Sequence, residues 1–483
     1  MLIIQNGYEC DYEMKLFYKL FFNIDDDIYV CSNFEYKDKI INVYTEIVCN
    51  NDVYTEDYYY NFDTENKKKS FIKKIFTASC TKSFCHAAQK IKNINLPWGV
   101  MCGIRPAKIV RELMEEGHSN DEIIEILKDI YEVSDEKINL AMTVAKNEKL
   151  LLDEIGKNSV SIYIGIPFCP TRCLYCSFVS TDIRVSGKYM DDFVEKLLLE
   201  IDKTAEIIEK MGAYVENIYI GGGTPTTLEP RHLKSIFDRL KINFDFSRIK
   251  EFTLEAGRPD TITREKLFEA KTGGVSRISI NPQTMNYETL VKVGRSHTPD
   301  MVKECFNMAR EMGFDNINMD LIAGLPDETV DMFKYSLDEV IKLDSENITV
   351  HSMAVKRAAY LRFTDTELAK AKDMNEMLSY TQKRMLQTGR KPYYMYRQKN
   401  ISGNLENVGY AKDGFMSTYN INIMEEKQTI IALGGGGSTK IVMNDRIERI
   451  FNFKDPLEYI KRFDEILEKK DEIIKILGGE KNG

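Results

Sequence analysis

Six short apolar runs constrain this chain more than any other feature of its sequence: SIYIGI (161–166), NIYI (217–220), FTLEA (252–256), RISI (277–280), INMDLI (317–322) and ITVHSM (348–353). Each has the length of a strand, and the stretches between them carry helical spacing. The clearest is Lys188–Met211, where Met190, Phe193, Val194, Leu197, Leu198, Ile201, Ala205 and Ile208 fall on one face. Strands alternating with helices predict βα units, and therefore a parallel sheet joined by right-handed crossovers. Six such units predict an α/β fold, a partial (β/α)6 barrel over residues 156–365. In parallel sheets and barrels the chemistry sits at the C-terminal ends of the strands.

The flanks read differently. Residues 1–155 predict an N-terminal α+β domain: Ile28–Cys31 and Lys39–Val48 have strand character, and the Tyr-rich VYTEDYYYNF fits a sheet edge or turn. From Lys68 the spacing turns helical, with Ile109, Leu113, Ile123, Ile124, Leu127 and Ile130 falling mostly at three- and four-residue steps within each segment. Residues 366–483 predict a C-terminal α+β elaboration capping the barrel, with strands near Thr429–Leu433 and Thr439–Met443 and a charged terminal helix over Pro456–Leu477.

At 483 residues and 43% hydrophobic content the chain can bury several cores. Its formal charge of −9 gives none of the basic footprint of a nucleic-acid binder. The N-terminus has acids and no small-residue cleavage site, and no apolar run reaches the length of a membrane span, so a cytoplasmic protein is expected.

Ten cysteines in a chain of this length do not make a disulfide framework. Three of them, Cys169, Cys173 and Cys176, crowd into GIPFCPTRCLYCSF directly after the first barrel strand. Pro167 and Pro170 disfavour a helix there, so the segment is a loop folded around something. Taken alone, the spacing admits zinc as well as an iron–sulfur cluster. Three thiolates on a four-iron cluster would leave one iron open to a further ligand. Cys80, Cys85 and Cys102, with His86 nearby, fit no compact ligand motif and predict buried thiols.

The cysteine loop, followed in order by IYIGGGTPT, TLEAGRPDT, RISINPQT, GRSHT and MDLIAGLPDET, closely resembles the oxygen-independent coproporphyrinogen III oxidase-like radical S-adenosylmethionine (SAM) family. LPWGVMCGIRPAK (96–108) and YYMYRQKNISGNLENVGYAK (393–412) further resemble its coproporphyrinogen dehydrogenase HemZ branch. The resemblance implies a radical SAM barrel, a [4Fe–4S] cluster on Cys169, Cys173 and Cys176, and SAM on the open iron. It implies SAM contacts from Tyr163, from Gly222, Gly223 and Thr224 of the glycine loop, and from Glu255, Gln283, Arg295 and Asp320. No catalytic residue beyond these and no general base is assigned, because the cofactors carry the difficult chemistry. The run LGGGGSTK (433–440) lacks the order of a phosphate-binding loop; it reads equally as a bend and, by resemblance, as a turn near the cofactor.

The substrate implied is coproporphyrinogen III, a tetrapyrrole with four carboxylates, together with a low-potential electron donor as partner. Oxidative decarboxylation of two propionates to vinyl groups would give protoporphyrinogen IX in anaerobic haem biosynthesis. Candidate cations are Arg105, Lys108, Arg397 and Lys399, with Lys356 and Arg357 after the sixth strand; Tyr393, Tyr394 and Tyr396 would supply aromatic walls. Two departures bear on the reaction. Phe178 stands where the oxidase pattern has a further cysteine, and Gly403-Asn404 stands where related haem chaperones carry a His-Asn pair. A haem chaperone or another tetrapyrrole-modifying radical SAM enzyme are the alternatives.

Overall fold

The computed structural model describes residues 2–480 apart from 24–25, 66, 104, 178–179, 355–368, 399–401 and 444–445. Two compact units divide it. The first holds Met1–Ala145 with short stretches near Arg397 and at Gly403–Leu405; the second holds most of the remainder.

The first unit is built on a four-stranded sheet, β1 (Leu2–Asn6), β2 (Ile28–Lys37), β3 (Ile40–Cys49) and β4 (Asp52–Asn61), in that order. β1 runs parallel to β2 and the other pairs are antiparallel. The Tyr-rich run forms edge strand β4. Helix α1 (Asp11–Phe21) and the long helix α2 (Lys69–Gln89) cover one face, where Phe17, Phe21, Val30, Val43, Ile47 and Phe84 are buried. Cys80 and Cys85 lie within α2 and are buried, and burial pushes the Cys102 thiol up to about 12.

The second unit holds an eleven-stranded sheet. The six expected strands are β5 (Ser159–Ile166), β6 (Tyr214–Gly222), β7 (Glu251–Gly257), β8 (Arg277–Ile280), β9 (Ile317–Ala323) and β10 (Asn347–Ser352), all parallel and paired in chain order. The C-terminal stretch extends both edges. β11 (Lys391–Arg397) and β12 (Glu406–Ala411) join beyond β10, with β12 antiparallel to it. β13 (Thr429–Gly434) pairs in parallel with β5, making a seventh parallel strand, and β14 (Ser438–Val442) and β15 (Ile447–Phe451) follow antiparallel. Among the described residues no helix is long and apolar enough to cross a membrane.

Side chains alternate across each strand, and the two faces of this sheet differ sharply. Ile162, Ile164, Ile218, Ile220, Leu254, Ile278, Met319, Leu321, Ile348 and Val350 are fully or almost fully buried on one face. The other face is polar and bonded across strands: Asn217 donates to Ser161 Oγ at 3.2 Å, Asn318 to Ser279 Oγ at 2.8 Å, and Thr349 to Asn318 Oδ1 at 3.1 Å. Such pairing offsets the cost of burying these groups.

The segment 415–428 closes the N-terminal end of the polar face. Ser417 Oγ and Thr418 N–H donate to Glu251 at 2.7 and 2.9 Å, Thr418 Oγ1 donates to Asn217 Oδ1 at 2.6 Å, and Gln428 donates to Ser159 Oγ at 2.6 Å. Arg277, buried on the same floor, donates to the Phe415 carbonyl at 3.2 Å. With its floor sealed this way, the polar face opens toward the C-terminal strand ends.

Candidate active site

The cysteine loop leaves β5 through Pro167 and is closed at its base by a two-residue bridge: Phe168–Cys169 pairs with Thr181–Asp182, and Thr181 N–H donates to the Pro167 carbonyl at 2.8 Å. Inside the loop Cys176 N–H donates to the Cys173 carbonyl at 3.1 Å. The turn after β6 and the turn after the helix Tyr287–Lys292 pin the loop. Gly223 and Thr224, just after β6, donate backbone N–H bonds to the Ile166 and Phe168 carbonyls, both at 2.7 Å. Leu174 N–H and Thr171 Oγ1 bond the Val293 and Gly294 carbonyls at 3.1 and 2.9 Å.

Gly223 answers a need for close approach. A Cβ there would stand 2.6 Å from the Phe168 carbonyl oxygen and 3.0 Å from Cys169 Sγ. Cys169 and Cys173 are buried and Cys176 is half-buried; none of the three is in a disulfide. Burial raises the Cys169 thiol, while Ser180, Thr224 and Arg258 pull it back. Among the described residues no three His, Cys, Asp or Glu side chains close around the position of a single ion. A four-iron cluster asks for thiols spread about its own width, carried by a loop such as this one.

The sequence-predicted SAM residues lie along the open strand ends. Tyr163 on β5 stacks on Tyr219 of β6, with ring centroids 6.2 Å apart, and Tyr219 stacks on Tyr419 at 4.6 Å. Glu255, near the end of β7, sits among Tyr219, the Gly222 N–H and Asp320. Burial, aided by the Asp320 charge, pushes its carboxyl up to about 8, against the bonds from Tyr219 and Gly222. Glu255 therefore carries a proton at neutral pH, so it can donate as well as accept.

Asp320 on β9 accepts from Asn318 Nδ2 at 2.8 Å and faces His351 Nε2 at 3.7 Å; His351 Nδ1 lies 3.3 Å from the Tyr396 hydroxyl. Gln283 follows β8 in a left-handed conformation (φ 68°), held by its N–H to the Asp320 carbonyl at 2.9 Å. Its Oε1 is buried without a hydrogen-bond partner. Arg295 is buried, donating to the Asn281 carbonyl at 2.7 Å, to the Gly257 carbonyl at 3.3 Å and to the Tyr175 hydroxyl at 3.2 Å; its Nε has no partner. Two orphaned buried polar atoms and a glycine cradle beside a thiol are what a polar cofactor would complete. The residues present fit the cluster and SAM.

Of the tetrapyrrole-binding candidates, Arg105, Lys108 and Arg397 fall in the first unit and Tyr393, Tyr394 and Tyr396 in the second. Arg105 and Lys108 stand at the start of the helix Pro106–Glu115, with Lys108 3.9 Å from Glu112. Arg397 is only 2% exposed; it donates to the Met101 carbonyl at 2.8 Å and the Asn404 carbonyl at 3.1 Å, and its guanidinium lies 5.7 Å from the Trp98 ring centre. Lys399, Lys356, Arg357 and Phe178 lie outside the described residues. The glycine run reaches the site: Gly435 N–H donates to the Gly165 carbonyl at 2.9 Å, and a Cβ on Gly435 would meet Pro167 at 2.7 Å.

Sequence reasoning passed over Tyr219, Tyr175, Thr171 and Arg258. Tyr219 shares the strand phase of Gly221, one turn of the pleat before the glycine loop, which is the signal that could have found it. Arg258 stood in the quoted TLEAGRPDT motif without a role.

Residues 163–340 match the model of the radical SAM superfamily. The chain is 40% identical over 394 residues to the oxygen-independent coproporphyrinogen-III oxidase-like protein HemZ of Bacillus subtilis (strain 168), covering 80% of this chain and 79% of that protein. It is 37% identical over 198 residues to the haem chaperone HemW of the same organism, covering 41% of this chain and 51% of the chaperone. Among solved structures it is similar to coproporphyrinogen III oxidase (HemN) from Escherichia coli, with a TM-score of 0.53 and 24% identity over 66% of this chain and 72% of that one. That likeness bears on the fold. Radical SAM proteins use a [4Fe–4S] cluster and SAM, and these are the cofactors of this chain.

Proposed function

We propose that this chain, which belongs to the oxygen-independent coproporphyrinogen III oxidase-like family of radical SAM proteins, oxidatively decarboxylates two propionates of coproporphyrinogen III to vinyl groups, yielding protoporphyrinogen IX in the cytoplasm. The observation that carries this reading is the 40% identity spread over 79% of a relative that bears the oxidase-like name. When bound, the cluster and SAM supply one-electron reductive cleavage and hydrogen-atom abstraction, with a low-potential donor as the source of the electron.

The residues divide the remaining work. Cys169, Cys173 and Cys176 hold the cluster. The loop Gly222-Gly223-Thr224 would contact the SAM amino and carboxylate groups. Gln283 Oε1 and Arg295 Nε take polar atoms of SAM, Asp320 and Glu255 take hydroxyls, and Tyr163 walls the pocket. Glu255, its carboxyl pushed up to about 8, adds little second negative charge beside Asp320 near neutral pH. Each propionate loses a hydrogen atom by that abstraction, then carbon dioxide and one further electron, which passes to an external one-electron acceptor, and no general base is needed. Arg105, Lys108, Arg397 and Lys399 are the proposed partners of the substrate carboxylates, by charge.

The test is anaerobic incubation of the reconstituted protein with SAM, a low-potential reductant and coproporphyrinogen III. Mass spectrometry should show 5′-deoxyadenosine and loss of two carboxyl groups from the tetrapyrrole, and replacing any one of the three cysteines with Ala should abolish both. Deoxyadenosine without tetrapyrrole change would overturn the substrate. The 37% identity to a haem chaperone supports a second reading, haem delivery, marked by stoichiometric haem binding without turnover.

A further inference from the structure

We propose that Arg258 is a positioning residue of the cysteine loop that sets the reduction potential of the cluster, acting through Cys173 and balanced by Asp260. Arg258 lies just past the end of β7 and is 3% exposed. Asp260 grips one edge of its guanidinium through two parallel bonds, Nε to Oδ1 at 3.0 Å and Nη2 to Oδ2 at 2.8 Å. The fork leaves Nη1 free to aim into the loop. There it donates to Thr171 Oγ1 at 2.6 Å and to the Thr171 carbonyl at 3.2 Å, and it stands 3.9 Å from Cys173 Sγ.

Thr171 in turn donates to the Gly294 carbonyl, so the guanidinium, the loop and the turn after the helix Tyr287–Lys292 form one bonded chain. A planar fork locked on one side by a carboxylate cannot swing away from the thiol on the other. A lone buried cation would be costly, and Asp260, itself mostly buried, supplies the counter-charge on the side away from the sulfur.

Reduction adds an electron to a cluster already carrying the charge of three thiolates. A fixed cation and an N–H donor at a ligand sulfur favour the reduced form, and the hydrogen bonds and charge around a cluster are what tune its potential. Arg258 therefore makes the cluster easier to reduce, and Asp260 sets how much of its charge is felt. The inference rests on the assignment of the cluster to Cys169, Cys173 and Cys176, and not on the tetrapyrrole reaction.

The test is a potentiometric titration of the anaerobically reconstituted full chain, without tetrapyrrole, following the reduced cluster by electron paramagnetic resonance. Iron content in wild type and in Cys173→Ala checks the ligand assignment separately. Arg258→Gln with full iron content should show a reduced-to-oxidised ratio lower by about tenfold at fixed potential, which is about 59 mV for one electron. Arg258→Lys, which keeps the charge, should recover most of that loss. Asp260→Asn should move the potential the other way, upward, which a merely structural role would not produce. A fully loaded Arg258→Gln with an unchanged potential, or an Asp260→Asn shift that is absent or downward, overturns the proposal; if Arg258→Gln fails to load, Asp260→Asn alone decides it.

Discussion

Glu255 shows what a single position acquires from its surroundings. On the page it is a strand-end carboxylate; in the fold, burial and Asp320 hold its proton up to about pH 8, against an ordinary value of 4.5. Between those values the folded protein binds a proton that the unfolded chain has released, so this group makes stability fall as pH rises through that window. Glu255→Gln should flatten that fall when cofactor-free protein is unfolded by denaturant at a series of pH values from about 4.5 to about 8. An unchanged slope would show that Glu255 titrates normally. His297 works with the opposite sign: burial pushes it down to about 3 from 6.5, so its contribution is lost as pH falls below 6.5. The difference between variant and wild type, rather than either profile, therefore isolates Glu255.

At the scale of elements, the long helix Met190–Lys210 and strand β13 are joined by one carboxylate. Glu200 is fully buried and accepts from Gly434 N–H at 2.8 Å, Asn452 Nδ2 at 2.7 Å and Tyr459 OH at 2.6 Å, and it pairs with Lys470 at 3.1 Å. Gly434 holds φ 77°, and a Cβ there would lie 2.3 Å from the Gly165 carbonyl oxygen. The seventh parallel strand thus reaches the loop that begins at Pro167. Glu200→Ala strands a buried ammonium and three donors, and should cost about 3–5 kcal/mol of unfolding free energy. Glu200→Gln, which keeps the acceptor, should cost less; equal losses in denaturant titrations would show that charge alone matters. The sequence displayed the helix by its apolar stripe and β13 by its β-branched run. It gave no sign of their junction, because one Glu on an amphipathic helix looks like any solvated acid until the C-terminal residues close over it.

Across the whole molecule, residues far apart in the chain complete each other. Arg397 follows Met101 by almost three hundred positions yet belongs to the first unit, where it donates to the Met101 and Asn404 carbonyls. Arg397→Ala leaves both carbonyls without that donor and should destabilise the protein by about 1–3 kcal/mol. Thermal unfolding of cofactor-free protein reads this directly, and an unchanged midpoint would place Arg397 outside the packing and return it to substrate binding alone.

The sequence by itself determined the three cysteines in a loop after a strand, the glycine loop after the next, and six strands in order, because each is a local signal: a spacing, a breaker, a period. The candidate cofactor residues were named through their motifs, and the structure places Gly222, Glu255 and Asp320 toward the C-terminal ends of their strands, with Gln283 just past β8. Only the tertiary structure decided that β13 flanks β5, that Ser417 and Thr418 floor the barrel against Glu251, and that Arg258 points at Cys173. Each of those depends on pairing across tens to hundreds of residues, where a local pattern carries no information about the partner.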